Sequence, residues 1–224
     1  MAGESMNILI FGAPGMVGQG VLRECLLDPE VRRVVTIGRN ATGQQHPKLQ
    51  EIVHRDLFDY SSIEPELTGF DACFFCLGVS SFRMSEADYA RVSYDLTLAA
   101  ARTLVRLNPR IVFTYVSGAG TDSTERGRTM WARVKGRTEN ALLGLPFKGA
   151  YMFRPGVIVP MDGIRSKTAL YQLFYSAGRP LLPLLRSAFP NAITTTSQLG
   201  RAMLAVAKHG ASTTILETHD ISTY

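Results

Sequence analysis

The sequence predicts an α/β fold: a Rossmann-type doubly wound parallel sheet, a single domain with a small substrate-side cap near its C-terminal part. Three observations predict it. Apolar runs of strand length alternate along the chain with segments of helical periodicity. Runs such as Ile8-Leu9-Ile10-Phe11 are continuously apolar, as strands buried on both faces are. A glycine-rich turn, with Gly12, Gly15 and Gly18, separates the first run from the first helical pattern.

That turn organises the chain. Gly12 permits a tight bend, Gly15 removes a Cβ where a diphosphate must approach the backbone, and Gly18 lets the helix pack closely on the sheet. The helix that follows carries Val17, Val21, Leu22, Cys25 and Leu26 on one stripe, and its free N–H groups suit phosphate oxygens. Asp28-Pro29 ends it. Arg33 to Gly38 reads as the second strand, 40–49 as a loop, Glu51 to His54 as a short third strand and Asp71 to Leu77 as the fourth. A long helix is expected over Ser85 to Asn108, stopped by Asn108-Pro109. Arg110 to Val116 is the fifth strand, Glu125 to Leu143 a helix, Gly149 to Phe153 the sixth strand, Ser197 to Lys208 a helix and Thr213 to Leu216 a last short strand. No repeat or linker divides residues 1–224. Residues 165–190, with three prolines among aromatic and aliphatic side chains, break the alternation and read as a lid or cap.

Composition narrows the function classes. At 224 residues, with 46% hydrophobic and 19% charged, the chain suits a folded domain rather than a disordered one. No apolar run reaches the length of about 20 residues that crosses a bilayer. The formal net charge of +5 is scattered and accompanies no nucleic-acid motif, so an anionic small molecule is the better partner. Three cysteines without a leader segment point to a reducing compartment, and a cytoplasmic location is expected. Cys73 and Cys76 stand three apart in a strand run, on opposite faces, where they can share neither a disulfide nor a metal; both are expected in the core. The four histidines show no ligand spacing, and no metal is expected.

Several short motifs add to the turn: Ile37-Gly38-Arg39, Arg55-Asp56-Leu57, Cys76-Leu77-Gly78, Tyr115 through Gly120, Lys135-Gly136-x-x-Glu139 and Arg154-Pro155-Gly156. In this order and spacing the chain resembles the atypical short-chain dehydrogenase/reductases, in the NmrA-like and Tat-interacting-protein-like branch, with NAD-dependent epimerase/dehydratase domains as cousins. The resemblance implies a nicotinamide dinucleotide held by Gly12, Ala13, Gly15, Met16, Val17, Gly18, Asp56, Leu57, Cys76, Leu77, Gly78, Val116, Lys135, Arg154, Pro155, Gly156 and Val157. Arg39 follows the second strand, where a basic residue accepts a 2′-phosphate and an acidic one holds a ribose hydroxyl, so NADP is expected over NAD.

The resemblance also implies a catalytic Ser or Thr after the fifth strand and a Tyr-x-x-x-Lys on the next helix. Ser117 and Lys135 match, but Trp131 stands in the tyrosine's place. An indole is no acid or base near neutral pH, so the proton must come from another hydroxyl such as Tyr115, from the substrate or from water; Thr121 and Ser123 are alternatives to Ser117 as the catalytic hydroxyl. Lys135 otherwise reads as a surface lysine paired with Glu139 one turn on. Two functions follow: an NADP-dependent oxidoreductase of a small carbonyl-type substrate, or a non-catalytic NADP(H) sensor acting through a protein partner. A monomer or homodimer suits either.

Overall fold

The computed structural model describes residues 5–164 and 192–224. Its main feature is a seven-stranded, wholly parallel sheet in the order β3-β2-β1-β4-β5-β6-β9. The strands are β1 (Met6–Phe11), β2 (Val31–Gly38), β3 (Leu49–Val53), β4 (Ala72–Phe75), β5 (Val112–Val116), β6 (Gly149–Arg154) and β9 (Ile215–Glu217). The order grows outward in both directions from β1, so the chain reverses direction across the sheet between β1 and β4. That reversal opens a crevice at the carboxyl ends of the two strands.

The continuous apolar runs are explained by two covered faces. Ile8 and Ile10 of β1 join one buried cluster, while Leu9 and Phe11 join the other. The same alternation places Phe74 on the first face and Cys73 and Phe75 on the second. Helices α1 (Met16–Leu27) and α5 (Thr196–His209) cover the first face, through Val21, Leu22 and Cys25 on one and Leu199, Met203 and Val206 on the other. The second face takes α3 (Leu96–Leu107) and a row of rings. Phe11 stacks on Phe75 at 5.2 Å between centroids, Phe75 on Phe113 at 5.9 Å, and Phe113 on Phe147 at 4.9 Å.

The expected cysteine geometry holds, with one correction. Cys73 is buried in the second cluster and Cys76 packs against the first, on opposite faces of the sheet. Cys76, however, lies one residue beyond β4 and is only partly buried.

Two expectations about elements change, and two elements were not expected. The helix expected from Glu125 begins instead at Met130, as α4 (Met130–Leu143), because the preceding segment folds into a tight loop. There the Asp122 carboxylate accepts the N–H groups of Thr124 (3.0 Å) and Gly127 (2.6 Å), and Glu125 takes a positive φ of 60°. The long helix before β5 is continuous but not uniform: α2 (Glu86–Ala90), a π turn (Arg91–Asp95), then α3. Ser85 caps it, accepting the Asp88 N–H at 3.1 Å. A second, two-stranded parallel sheet of β7 (Val157–Val159) and β8 (Ile193–Thr195) was not foreseen. A short helix α6 (Thr218–Ile221) closes the chain. The expected lid, 165–190, lies outside the described residues. No helix among those described is long and apolar enough to cross a membrane.

The ring row sets the first test. Phe75 is 1% exposed and touches Phe11, Phe113 and Tyr115. Phe75→Ala is expected to lower unfolding free energy by about 3–5 kcal/mol, read by urea denaturation.

Candidate functional site

The residues singled out in the sequence lie at or just after the carboxyl ends of the strands β1 to β6, or on α4 beside them, and the parallel sheet therefore brings them to one edge. At its centre is the glycine turn. Gly12 has φ +79°, and a Cβ there would meet the Cys76–Leu77 backbone at 2.7 Å. A Cβ on Gly18 would stand 2.1 Å from the Gly12 carbonyl oxygen, so only glycine lets α1 sit this close to the turn. Gly15 differs. A Cβ there would meet only the Gly12 oxygen, at 3.2 Å, and otherwise open space. The Gly15 N–H closes the turn onto the Gly12 carbonyl at 2.9 Å.

The start of α1 has no side-chain cap and no acidic residue in its first turn. Its free N–H groups and dipole thus face the crevice without an internal anion. These residues fit a diphosphate: room at Gly15, unpaired donors at the helix start, and no competing carboxylate. Around the turn, Ala13 is buried, while Met16 and Val17 are partly exposed. Arg39 is exposed and makes no hydrogen bond or ion pair among the described residues. Asp56 is exposed and accepts the Phe58 N–H at 2.9 Å, a local turn bond; Leu57, beside it, is buried in the core. Gly78 has open space where a side chain would be.

At the β5 end the structure redistributes the expected roles. The Ser117 hydroxyl turns inward, 2.5 Å from Glu139 Oε1 and 3.1 Å from the Phe153 carbonyl oxygen. Arg154 turns inward as well. Its Nε and Nη2 donate to the Glu139 carboxylate, Nη2 also reaches Ser123 Oγ at 2.5 Å, and Nη1 reaches Glu217 Oε1 at 3.2 Å. The side chains of Ser117 and Arg154, expected on the ligand side, are instead committed to Glu139. A carboxylate with no exposed surface requires a cation and hydrogen-bond donors around it, and these two supply them. Hydrogen bonding to Glu139 in turn holds the Arg154 pKa above the usual arginine value.

Glu139 is the residue that sequence reasoning misplaced. It reads as the one-turn partner of Lys135, yet Lys135 makes no bond to it. Lys135 Nζ donates to the carbonyls of Ser117 (2.5 Å) and Val116 (3.4 Å) and lies 5.7 Å from the Tyr115 ring centroid. The lysine is half-buried rather than on the surface. Burial pulls its pKa down to about 8, against a smaller upward pull from the Glu139 charge. The usable signal was Gly136, a glycine inside a helix. A Cβ there would overlap the Asp122 carbonyl at 1.8 Å, so the 121–127 loop is pressed onto α4.

The other hydroxyl candidates, Tyr115 for the proton and Thr121 and Ser123 as alternatives to Ser117, are engaged. Tyr115 is 2% exposed, and burial raises its pKa far above the usual phenol value. Thr121 Oγ1 donates to the Gly118 carbonyl at 2.7 Å, and Ser123 is taken by Arg154. Trp131 lies on the same face of α4 as Lys135, its ring close against Gly120. Pro155 is buried and its carbonyl accepts the Ala119 N–H at 2.9 Å; Gly156 donates to Thr218 Oγ1 at 2.8 Å, and Val157 is exposed.

No family model matches the chain. Among curated proteins, it is 26% identical over 159 residues to HTATIP2 of Rattus norvegicus, covering 70% of this chain and 64% of that protein. It is 28% identical over 158 residues to the mitochondrial protein fmp52 of Emericella nidulans, covering 68% and 66%. The matched region thus spans just under two thirds of these relatives' length. Among solved structures, the Bordetella bronchiseptica enzyme WbmF in complex with NADH superposes with a TM-score of 0.65 at 14% identity, over 100% of this chain and 77% of that one. The similarity to HTATIP2 agrees with the resemblance to the Tat-interacting-protein-like branch read from the motifs. The relatives also correct one expectation. The fungal relatives are named as mitochondrial, which overturns the cytoplasmic location.

The buried carboxylate gives the test of this geometry. Glu139→Ala leaves Arg154, 9% exposed, without its main counter-charge. It is expected to cost about 3–5 kcal/mol in urea denaturation.

Proposed function

We propose that the protein is an NADP-dependent reductase of a small carbonyl compound, built as one dinucleotide-binding domain, in which Lys135 rather than a tyrosine delivers the proton. The observation that carries it is the placement of two features on one sheet edge. One is the uncapped turn at Gly12 to Gly18; the other is a half-buried amine at the end of β5, held by backbone carbonyls and not by a carboxylate. Reduced nicotinamide, when bound, supplies hydride to a carbonyl carbon. The chain's own part is to bind, orient and protonate.

The turn and the first N–H groups of α1 hold the diphosphate. Arg39, free of partners among the described residues, receives the 2′-phosphate. Lys135 serves the ribose and gives its proton to the carbonyl oxygen as that oxygen gains charge. An ammonium with a pKa of about 8 is mostly protonated at neutral pH and close enough to it to transfer efficiently. The mitochondrial names of the fungal relatives support that compartment as its place of action.

A second reading is favoured by Trp131. With an indole at the tyrosine position, the same cofactor site serves a sensor that holds NADP(H) and presents it to a protein partner.

Two measurements decide. Calorimetric titration is expected to show micromolar NADPH binding, tighter than NADH, with the preference reversed by Arg39→Asp. No heat with either coenzyme sinks the assignment. With a panel of aldehydes and ketones, turnover is expected to fall as pH rises through about 8, since the donor is the protonated amine. Lys135→Arg keeps the charge but not a transferable proton, so it should retain NADPH binding and lower turnover by about 10²- to 10⁴-fold. NADPH binding with no turnover on any carbonyl favours the sensor.

A further inference from the structure

A second cleft, of about 530 Å³, opens at the opposite edge of the large sheet, where β1 and β2 begin. Asn7, Arg32, Arg33, Lys48, Thr68 and Gly69 line it. Asn7 and Gly12 are five residues apart on an extended strand, so this cleft lies roughly 17 Å from the glycine turn.

Its cations are positioned rather than merely present. Met6 pairs with Val31 but Asn7 with Arg33, so Arg32 is an extra residue in β2. In a regular strand, neighbours 32 and 33 would stand on opposite faces. The irregularity re-aims the strand, and both arginines line the same cleft. Arg32 Nε donates to Asn7 Oδ1 at 3.2 Å, and Asn7 Nδ2 is anchored on the Gly69 carbonyl at 2.9 Å. The Arg33 guanidinium lies 4.8 Å from the Phe70 ring centroid, and Lys48 Nζ donates to the Asp28 carbonyl at 2.6 Å.

None of the three has a carboxylate partner among the described residues. The acids of this neighbourhood are engaged elsewhere. Asp28 and Glu30 both bind Lys208, at 2.7 and 2.5 Å, and Asp71 accepts the Asn7 N–H at 2.8 Å. Arg33 Nε is buried and has no hydrogen-bond partner. A fixed cluster of unpaired cations with an orphaned buried donor is complementary to an oxyanion of more than one charge. Guanidinium forks match phosphate oxygens, and the volume is that of a small-ligand site.

We infer that this cleft binds the phosphate or diphosphate group of a small molecule, with Arg33 and Lys48 as its inner contacts and Arg32 as its outer one. A free molecule suits it better than a lipid headgroup, since Pro47 is the one apolar side chain among its walls. The inference does not depend on the nicotinamide reading.

The test is calorimetric titration of the whole chain with inorganic pyrophosphate, with and without saturating NADPH. One-to-one micromolar binding is expected, the same in both cases, weakening with added salt. Arg33→Met, which keeps an apolar stem against Phe70, and Lys48→Met should each weaken it at least tenfold while leaving NADPH affinity unchanged. Melting temperature checks that both variants fold. The inference is overturned by absence of heat, by binding that NADPH abolishes, or by binding that both variants leave within twofold. It is equally overturned if sulfate binds as tightly as pyrophosphate, an adventitious ion only, or if phosphatidate vesicles capture the protein while free pyrophosphate does not bind. Should NADPH itself fail to bind, the pyrophosphate titration still reads, so the two proposals fail separately.

Discussion

The carboxylate of Glu139 has no contact with solvent, and the carboxyl edge of the sheet is assembled around it. It fixes Ser117 at the end of β5, and through Arg154 it reaches Ser123 in the loop before α4 and Glu217 at the end of β9. The 117–123 loop, α4, β6 and the last strand of the large sheet are thus held by two ion pairs that share Arg154, together with their hydrogen bonds. Removing two charges from water is expensive, and an ion pair in such a place stabilises the fold only when its remaining donors and acceptors are filled. Here the hydroxyls of Ser117 and Ser123 fill them. The arrangement fixes where the loop after β5 runs, and with it where Lys135 finds its carbonyl acceptors.

The fold was legible in the sequence because its determinants are local. A strand buried on both faces announces itself as an unbroken apolar run, and a glycine turn between such a run and a helical stripe has few other uses. Gly12 and Gly18 do what their spacing indicated, since one takes a left-handed conformation and the other admits a helix against a carbonyl. The roles at the β5 edge were less legible. Glu139, four residues after Lys135, matches the spacing of a surface ion pair, and nothing local in the sequence shows that Arg154 arrives from another strand to claim it. The helix start was misplaced for a related reason. The helix expected from Glu125 begins only at Met130, because the Asp122 carboxylate captures backbone N–H groups and folds the preceding residues into a loop.

The substitution of tryptophan for the expected tyrosine is easier to interpret with these neighbours in place. Each hydroxyl that stood as a substitute is taken up by the protein, by Glu139, by Arg154, by the Gly118 carbonyl or by the interior of the sheet. The amine of Lys135 remains, with an acidity shifted toward neutrality by its surroundings. The proposed site therefore keeps one group able to exchange a proton, and the chemical question moves from the ring of Trp131 to the lysine beside it.

The sheet's order has a consequence for biosynthesis. Because β1 is central and later strands add outward, most of the sheet can form as the chain leaves the ribosome. Helix α1 is the exception. Its apolar stripe is covered by α5 through Leu199, Met203 and Val206, and Lys208 of α5 is tied to Asp28 just after α1. The nascent protein thus carries an uncovered hydrophobic helix behind its glycine turn until the distant α5 has been made, and that face matures only then.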